Sequence, residues 1–338
     1  MRYRNFGSSD LVLSEWCFGA MRFAGPNDGG ATSPTVPEPQ DEIGRQALEA
    51  ALDGGVNAIH SSDDYGTRWL LTEALQHHPK RSEIHHVIKV TTPDYDETTF
   101  DPSAFRATIE QALTELHTER IAVVQHLQRG PQVSKADAYS QAGDERRITG
   151  LTQDLEILAE TFDTLRDEGK VGYLATFPHT MGYARAALST GAFHGVAHYM
   201  NLVELEALEV LDELDDRGLG FLAIRPLLQG MLTDKRADRD TLPDDDPLRR
   251  TTWDGAYARW RDVAQAIGTE PASWTRYAIG FALAHPTVTS VVAGANDVAQ
   301  TEALLAACDG DYPSRQTLDA LRSVVAESGM LPKSDFYA

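Results

Sequence analysis

The sequence predicts a (β/α)8 barrel preceded by a short β-hairpin, and three observations carry that prediction. Short, mostly apolar runs alternate eight times with segments of helical period along the 338 residues. After the start of the chain no two consecutive runs lie close enough to share a hairpin turn, so the strands must pair in parallel through crossovers. The third observation is an absence: no G-x-G-x-x-G occurs, which argues against a doubly wound dinucleotide-binding sheet.

Each element follows from local chemistry. Residues 3–6 and 11–14 flank Gly7-Ser8-Ser9-Asp10 and read as a hairpin. Residues 16–20 form the first buried strand, ending in Gly19-Ala20-Met21. The stretch 24–40, rich in Gly, Pro and Ser, has no helical period and is expected to be a long surface loop. A helix over 41–53 places Ile43, Ala47, Ala50 and Ala51 on one side, and the apolar run 56–59 then opens into His60-Ser61-Ser62-Asp63-Asp64-Tyr65-Gly66. Helix 68–77, strand 87–90 carrying Lys89, helix 102–117 and strand 121–125 continue the pattern, with His126 directly after. A polar insertion, 130–150, is expected as a second long loop before helix 154–168. Strand 171–176, helix 180–189, strand 196–202, helix 205–217 and strand 220–224 follow. A third loop spans 233–252, and helices 253–267 and 271–285 precede strand 290–293. With no linker and no internal repeat, residues 1–338 are expected to form one domain.

Composition narrows the class of partner. With 51 acidic against 30 basic residues, the net charge of -21 disfavours nucleic acid, an anionic membrane or any polyanion, and leaves a small-molecule substrate. The two cysteines, Cys17 and Cys308, make no disulfide framework and are expected as small core residues in a reducing compartment. No apolar h-region or membrane-length run is present, so a cytoplasmic, soluble protein is expected. The doublets His77-His78 and His85-His86 do not suggest a metal site, because adjacent side chains face apart on a helix or a strand.

Chemistry is expected where strands end in polar loops, above all at His60 to Gly66. Gly-Val-Asn-Ala-Ile-His-Ser-Ser-Asp-Asp-Tyr-Gly, residues 55–66, resembles the aldo-keto reductase segment G-x-N-x-x-D-T-A-x-x-Y-G. The likeness extends to Arg2-Tyr3-Arg4, Gly19-Ala20-Met21, the strand bearing Lys89, Gly169-Lys170-Val171, Pro226 to Leu232, and Gly294 to Gln300. It implies a barrel that reduces carbonyls with NAD(P)H, with Tyr65 as general acid and Lys89 beside it. An ammonium near a phenol favours phenolate, so Lys89 is expected to lower the Tyr65 pKa.

Two departures concern catalysis. His60 stands where the family has an aspartate, and is expected to be neutral at pH 7 and hydrogen-bonded near Tyr65 and Lys89, with Asp63 or Asp64 available to restore the missing anion. The family's Gln-x-His appears as Gln125-His126, one position early, so His126 faces the site only if a bulge re-aims it. For the cofactor, the resemblance implies contacts from Gly19, Met21, Phe177, Gly294, Asn296 and Gln300. The family's Ser-Asn pair aligns with Phe177-Pro178, which has no side-chain partner for a carboxamide, and its stacking tyrosine aligns with Ile224. Asp297 in the turn after the last strand favours NAD(H) over NADP(H), whose extra phosphate calls for Arg or Lys. Arg68, Trp69 and Arg225 are candidates to line the mouth and hold a carbonyl, polyol or sugar-like substrate. The same residues also suit an acid/base isomerase, epimerase or lyase on a sugar-like ligand, or a non-catalytic ligand sensor.

Overall fold

The computed structural model describes residues 1–22, 39–131, 140–268 and 270–328. The chain opens with an antiparallel hairpin, β1 (Tyr3–Asn5) and β2 (Val12–Ser14), in the register Tyr3↔Ser14, Arg4↔Leu13, Asn5↔Val12. Eight parallel strands follow and close into a barrel: β3 (Trp16–Gly19), β4 (Ala58–Ser62), β5 (His85–Thr91), β6 (Ile121–Leu127), β7 (Val171–Thr176), β8 (Gly195–Tyr199), β9 (Gly220–Ile224) and β10 (Val288–Ala293). The helices around it are α1 (Pro39–Asp53), α2 (Arg68–Leu75), α3 (Pro102–Glu115), α4 (Gln141–Asp167), α5 (Met181–Ser189), α6 (Leu211–Asp216), α7 (Asp254–Ile267), α8 (Trp274–Leu283), α9 (Val298–Ala307) and α10 (Arg315–Ser328). Among the described residues no helix is long and apolar enough to cross a membrane.

Period two sorts the strand residues. Cys17, Ala58, Val87, Val123, Ala175 and Leu222 pack together along the barrel axis, while their neighbours Phe18, Ile59, Ile88, Val124, Leu174 and Phe221 join the cluster beneath the helices. Phe6, 1% exposed, reaches from the hairpin into the lower end of the axis. Room for its ring exists because β8 and β9 begin with glycine: a Cβ at Gly220 would lie 2.3 Å from Phe6 Cδ2, and one at Gly195 would lie 2.4 Å from its Cζ. Burying that ring contributes on the order of 2–3 kcal/mol. Arg4 fastens the same end, donating to the carbonyls of Leu283 (2.9 Å) and Val288 (2.8 Å) and to Glu15 Oε1 (2.7 Å).

Several expected boundaries move. Residues 23–38 and 132–139 lie outside the described residues, and with them most of the loop expected at 24–40, while that expected at 130–150 is helical from Gln141 onward. Ser140 caps that helix by accepting from Gly143 N at 2.9 Å, and Arg147, 1% exposed, pairs with Asp144 at 3.0 Å. Polar anchoring thus replaces the apolar stripe that sequence patterning looks for. The segment 233–252 contains only short 3-10 turns, Arg239–Thr241, Pro247–Arg249 and the start of Thr251–Trp253. Both cysteines are buried and unbridged.

A cavity of about 770 Å³ lies at the hairpin end, opposite the polar strand ends. Its basic lining serves the helices: Arg81 Nη2 donates to His117 O at 2.8 Å, just beyond the C-terminus of α3, where a cation offsets the helix dipole.

Candidate active site

At the other end of the barrel, β4 stops at Ser62 and turns through a single 3-10 turn, Asp63–Tyr65, capped by Gly66 in the left-handed region (φ 63°). That φ is cheap only for glycine, and it reverses the chain so that Tyr65 stays over the barrel end. Thr67 Oγ1 donates to Ala20 O at 2.9 Å and ties the turn to the end of β3.

Lys89 rises from the inner face of β5, paired in register with Ser62 on one side and Gln125 on the other. Its Nζ lies 5.1 Å from the centre of the Tyr65 ring and 2.9 Å from Asp64 Oδ2. The same oxygen accepts from Arg129 Nη2 at 3.0 Å. Burial pushes the Lys89 ammonium below its usual range, opposed chiefly by Asp64. Asp64 is held below the ordinary carboxylate value: burial would raise it, but Lys89 and Arg129 outweigh burial. Tyr65 departs from the sequence-based expectation. Burial, with Tyr199, Asp64 and Asp63 nearby, raises its pKa, so the free phenol is fully protonated near neutrality.

His60 sits on the inner face of β4, with its ring centre 6.0 Å from that of Tyr65 and its Nε2 3.0 Å from Gln125 Oε1. Burial, helped by the charges of Lys89 and Arg68, pushes its pKa down to about 4, against the Gln125 hydrogen bond. The imidazole is therefore neutral at pH 7. Gln125 is fully buried, and its Nε2 has no partner among the described residues. Sequence reasoning treated Gln125 only as a neighbour of His126, although its place two residues from Val123 sets it on the inner face.

His126 is a correction. It lies on the outer face of β6, with Nε2 2.7 Å from Thr92 O, between the rings of Phe100, Phe105 and Phe193. Simple alternation along a strand without a bulge explains this: with Gln125 inward, its neighbour points out. Arg68 is a second correction: 4% exposed, it pairs with Glu115 at 2.8 Å and lies 3.4 Å from Ser61 Oγ, on the outside of β4. Trp69 packs against the outer core and lines a cavity of about 430 Å³ with Arg68 and Glu115, not the barrel axis. Arg225 does reach the mouth, but its charge is matched by buried Glu204 at 2.7 Å while its guanidinium covers the Tyr199 ring at 4.1 Å. Its φ of 56°, rare for a side chain with a Cβ, is held by Asn201 Nδ2 donating to its carbonyl at 3.1 Å.

The remaining residues at this end form an aromatic pair and a helix start. Phe177 packs edge-on against Tyr199 with centres 5.6 Å apart, and Ile224 lies beside them on the axis. Tyr199 escaped sequence reasoning, although its spacing from Ala197 puts it on the inner face. Gly19 and Gly294 answer first to each other: a Cβ on Gly294 would come 3.1 Å from Gly19 O, and one on Gly19 3.3 Å from Gly294 N. Met21, 39% exposed, stands at the rim. Gln300 braces the cap of α9: its Oε1 accepts from Asn296 N at 3.1 Å, its Nε2 donates to Asp297 Oδ2 at 3.0 Å, and Asp297 Oδ1 accepts from Gln300 N at 2.8 Å.

The parallel eight-stranded barrel thus brings a tyrosine and a lysine together over its C-terminal end. Residues 15–324 match the family model described as Aldo/keto reductase family, and the chain belongs to that family and is an oxidoreductase enzyme. Aldo-keto reductases generally use NAD(P)H and act on small molecules. Among relatives, it is 22% identical to "Uncharacterized oxidoreductase YqkF" of Bacillus subtilis (strain 168), over 96% of each chain. Among solved structures, it is similar to the holo form of aldo-keto reductase AKR11C1 from Bacillus halodurans (19% identity, 96% of each chain, TM-score 0.67). It is also similar to the glycerol dehydrogenase AKR11B4 from Gluconobacter oxydans (20% identity, 96% of this chain and 95% of that one, TM-score 0.68).

Proposed function

We propose that the protein interconverts a neutral carbonyl and its alcohol, a polyol or sugar-like compound, with a nicotinamide nucleotide, and that Tyr65 moves the proton. The observation that carries this reading is the placement of the Tyr65 ring 5.1 Å from Lys89 Nζ at the end of the barrel.

The residues present suit a nicotinamide. Phe177 and Tyr199 add aromatic surface at this end, and the Nε2 of Gln125, without a partner among the described residues, is a buried donor of the kind a carbonyl or carboxamide oxygen satisfies. Gly294 and Asn296 lead into the start of α9, where backbone amides and the helix dipole favour a phosphate. When bound, the reduced nucleotide supplies the hydride. Tyr65, protonated before reaction, donates from its hydroxyl to the substrate oxygen as negative charge develops there, and in the oxidative direction takes that proton back. Lys89 stabilises the phenolate left behind. His60, neutral and anchored on Gln125, packs beside the Tyr65 ring and adds no charge.

Charge balance supports a neutral substrate. The cations described at the mouth already have carboxylate partners, Lys89 in Asp64, Arg129 in Asp64 and Asp94, and Arg225 in Glu204, so a strongly anionic substrate would have to displace an internal carboxylate. It also bears on the nucleotide. Asp297 at the cap of α9 puts an acid where NADP(H) calls for a cation, which favours NAD(H). Titration calorimetry with NADH and NADPH tests this: tighter binding of NADH is expected, and tighter binding of NADPH would reverse the assignment.

A further inference from the structure

Among the described residues, the inner faces of β4 and β6 beside Lys89 place no anion against it. His60 on β4 and Gln125 on β6 are uncharged and bonded to each other at 3.0 Å. Yet a buried ammonium needs a counter-charge, because desolvation alone would drive it to the neutral amine. Among the described residues, the carboxylate in contact with it comes from the turn above: Asp64 Oδ2 lies 2.9 Å from Lys89 Nζ.

We propose that Asp64, anchored by Arg129, is the positioning anion of this site, keeping Lys89 an ammonium beside Tyr65 in place of the strand-borne carboxylate that this chain lacks at His60. The proposal deepens the assignment of Tyr65 and Lys89 and rests on it. Arg129 fixes Asp64 from the loop after β6, donating to the same Oδ2 at 3.0 Å, and is itself held by the loop after β5. There Asp94 Oδ1 lies 3.4 Å from its Nη1, and the Tyr95 ring centre lies 5.0 Å from its guanidinium. Loops from three consecutive strands thereby hold one carboxylate. The charged and titratable groups facing Lys89 are Asp64, Asp63, Arg129, His60 and Tyr65. Of these, Asp63 is turned toward Ser62, whose Oγ donates to it at 2.9 Å, and Arg129 opposes the lysine charge. Asp64 is therefore the group whose loss should change the state of Lys89 most.

The test reads the lysine directly. Acetic anhydride labelling of the full-length protein between pH 6 and 11, quantified peptide by peptide, gives a titration midpoint for Lys89. In Asp64→Asn that midpoint should fall by about one unit or more, making Lys89 roughly tenfold more reactive near neutrality, since loss of a contacting opposite charge shifts a pKa by this order. Asp64→Glu should recover most of it, and Asp63→Asn should move it by less than half as much. The kcat profile of Asp64→Asn should shift to lower pH with KM near wild type. An unchanged Lys89 midpoint in Asp64→Asn, or an equal shift in Asp63→Asn, overturns the proposal. If Asp64→Asn does not fold, an unshifted midpoint in Asp64→Ser does so instead. Should Tyr65 prove dispensable while the midpoint still shifts, the acid assignment falls and the role of Asp64 stands.

Discussion

His60 is the residue that separates this chain from its family's pattern, and its surroundings decide what it can do. With its pKa near 4 it carries no charge at working pH, so it cannot replace an aspartate electrostatically. Its Nε2 holds Gln125, and its ring flanks Tyr65. His60→Ala should therefore destabilise the protein by about 1–3 kcal/mol, the cost of leaving a buried polar partner unsatisfied, and lower kcat without changing the shape of the pH-rate profile between pH 6 and 8. Loss of a limb in that range would instead make His60 a titrating group. The sequence made Tyr65, Lys89 and His60 legible because each sits at a strand end with family-like spacing. It left open whether Asp63 or Asp64 partners Lys89, since a turn residue obeys no periodicity, and the 2.9 Å contact of Asp64 Oδ2 with Lys89 Nζ decides it. His126 was resolved by alternation once the strand was seen to run on through Leu127.

At the scale of elements, strands were the most legible, because a parallel barrel buries both of their faces and leaves short apolar runs. Residues 171–176 and 220–224 match β7 and β9 to the residue. β8 ends at Tyr199, earlier than its apolar run, because Asn201 Oδ1 accepts from Val203 N at 3.0 Å and Glu204 N at 2.9 Å and turns the chain. Helix 205–217 divides at Val210 into a 3-10 turn, Glu206–Glu209, and α6. α10 was not anticipated, although Leu318 and Leu321 are buried at helical spacing, because eight strand-helix units were already complete. Its Arg322 reaches Leu208 O at 2.9 Å, so the helix braces that divided segment.

At the scale of the molecule, burial of neutral imidazoles couples stability to pH. His60, His86 and His126 all have folded-state pKa values near 4, against an ordinary value of 6.5. Between those values the unfolded chain binds more protons, so stability falls as pH drops from about 6.5 toward 4 and is retained above that window. At pH 5 the cost is about 2 kcal/mol per histidine, an order-of-magnitude figure from proton linkage. Urea midpoints at pH 7 and pH 5 should therefore separate clearly, and His126→Phe, which keeps the aromatic box filled, should narrow the difference. Equal midpoints at the two pH values would mean that these imidazoles are not held neutral by burial.

Tyr65 is proposed as the proton donor of a nicotinamide-dependent carbonyl reductase. The direct measurement compares NADH oxidation by wild type and Tyr65→Phe over a panel of aldehydes, ketones and sugars, alongside calorimetric NADH affinity for both proteins. Loss of kcat by on the order of 10²–10⁴-fold, the scale of general acid catalysis, with NADH affinity nearly unchanged, is the predicted result. Wild-type turnover by Tyr65→Phe would contradict it.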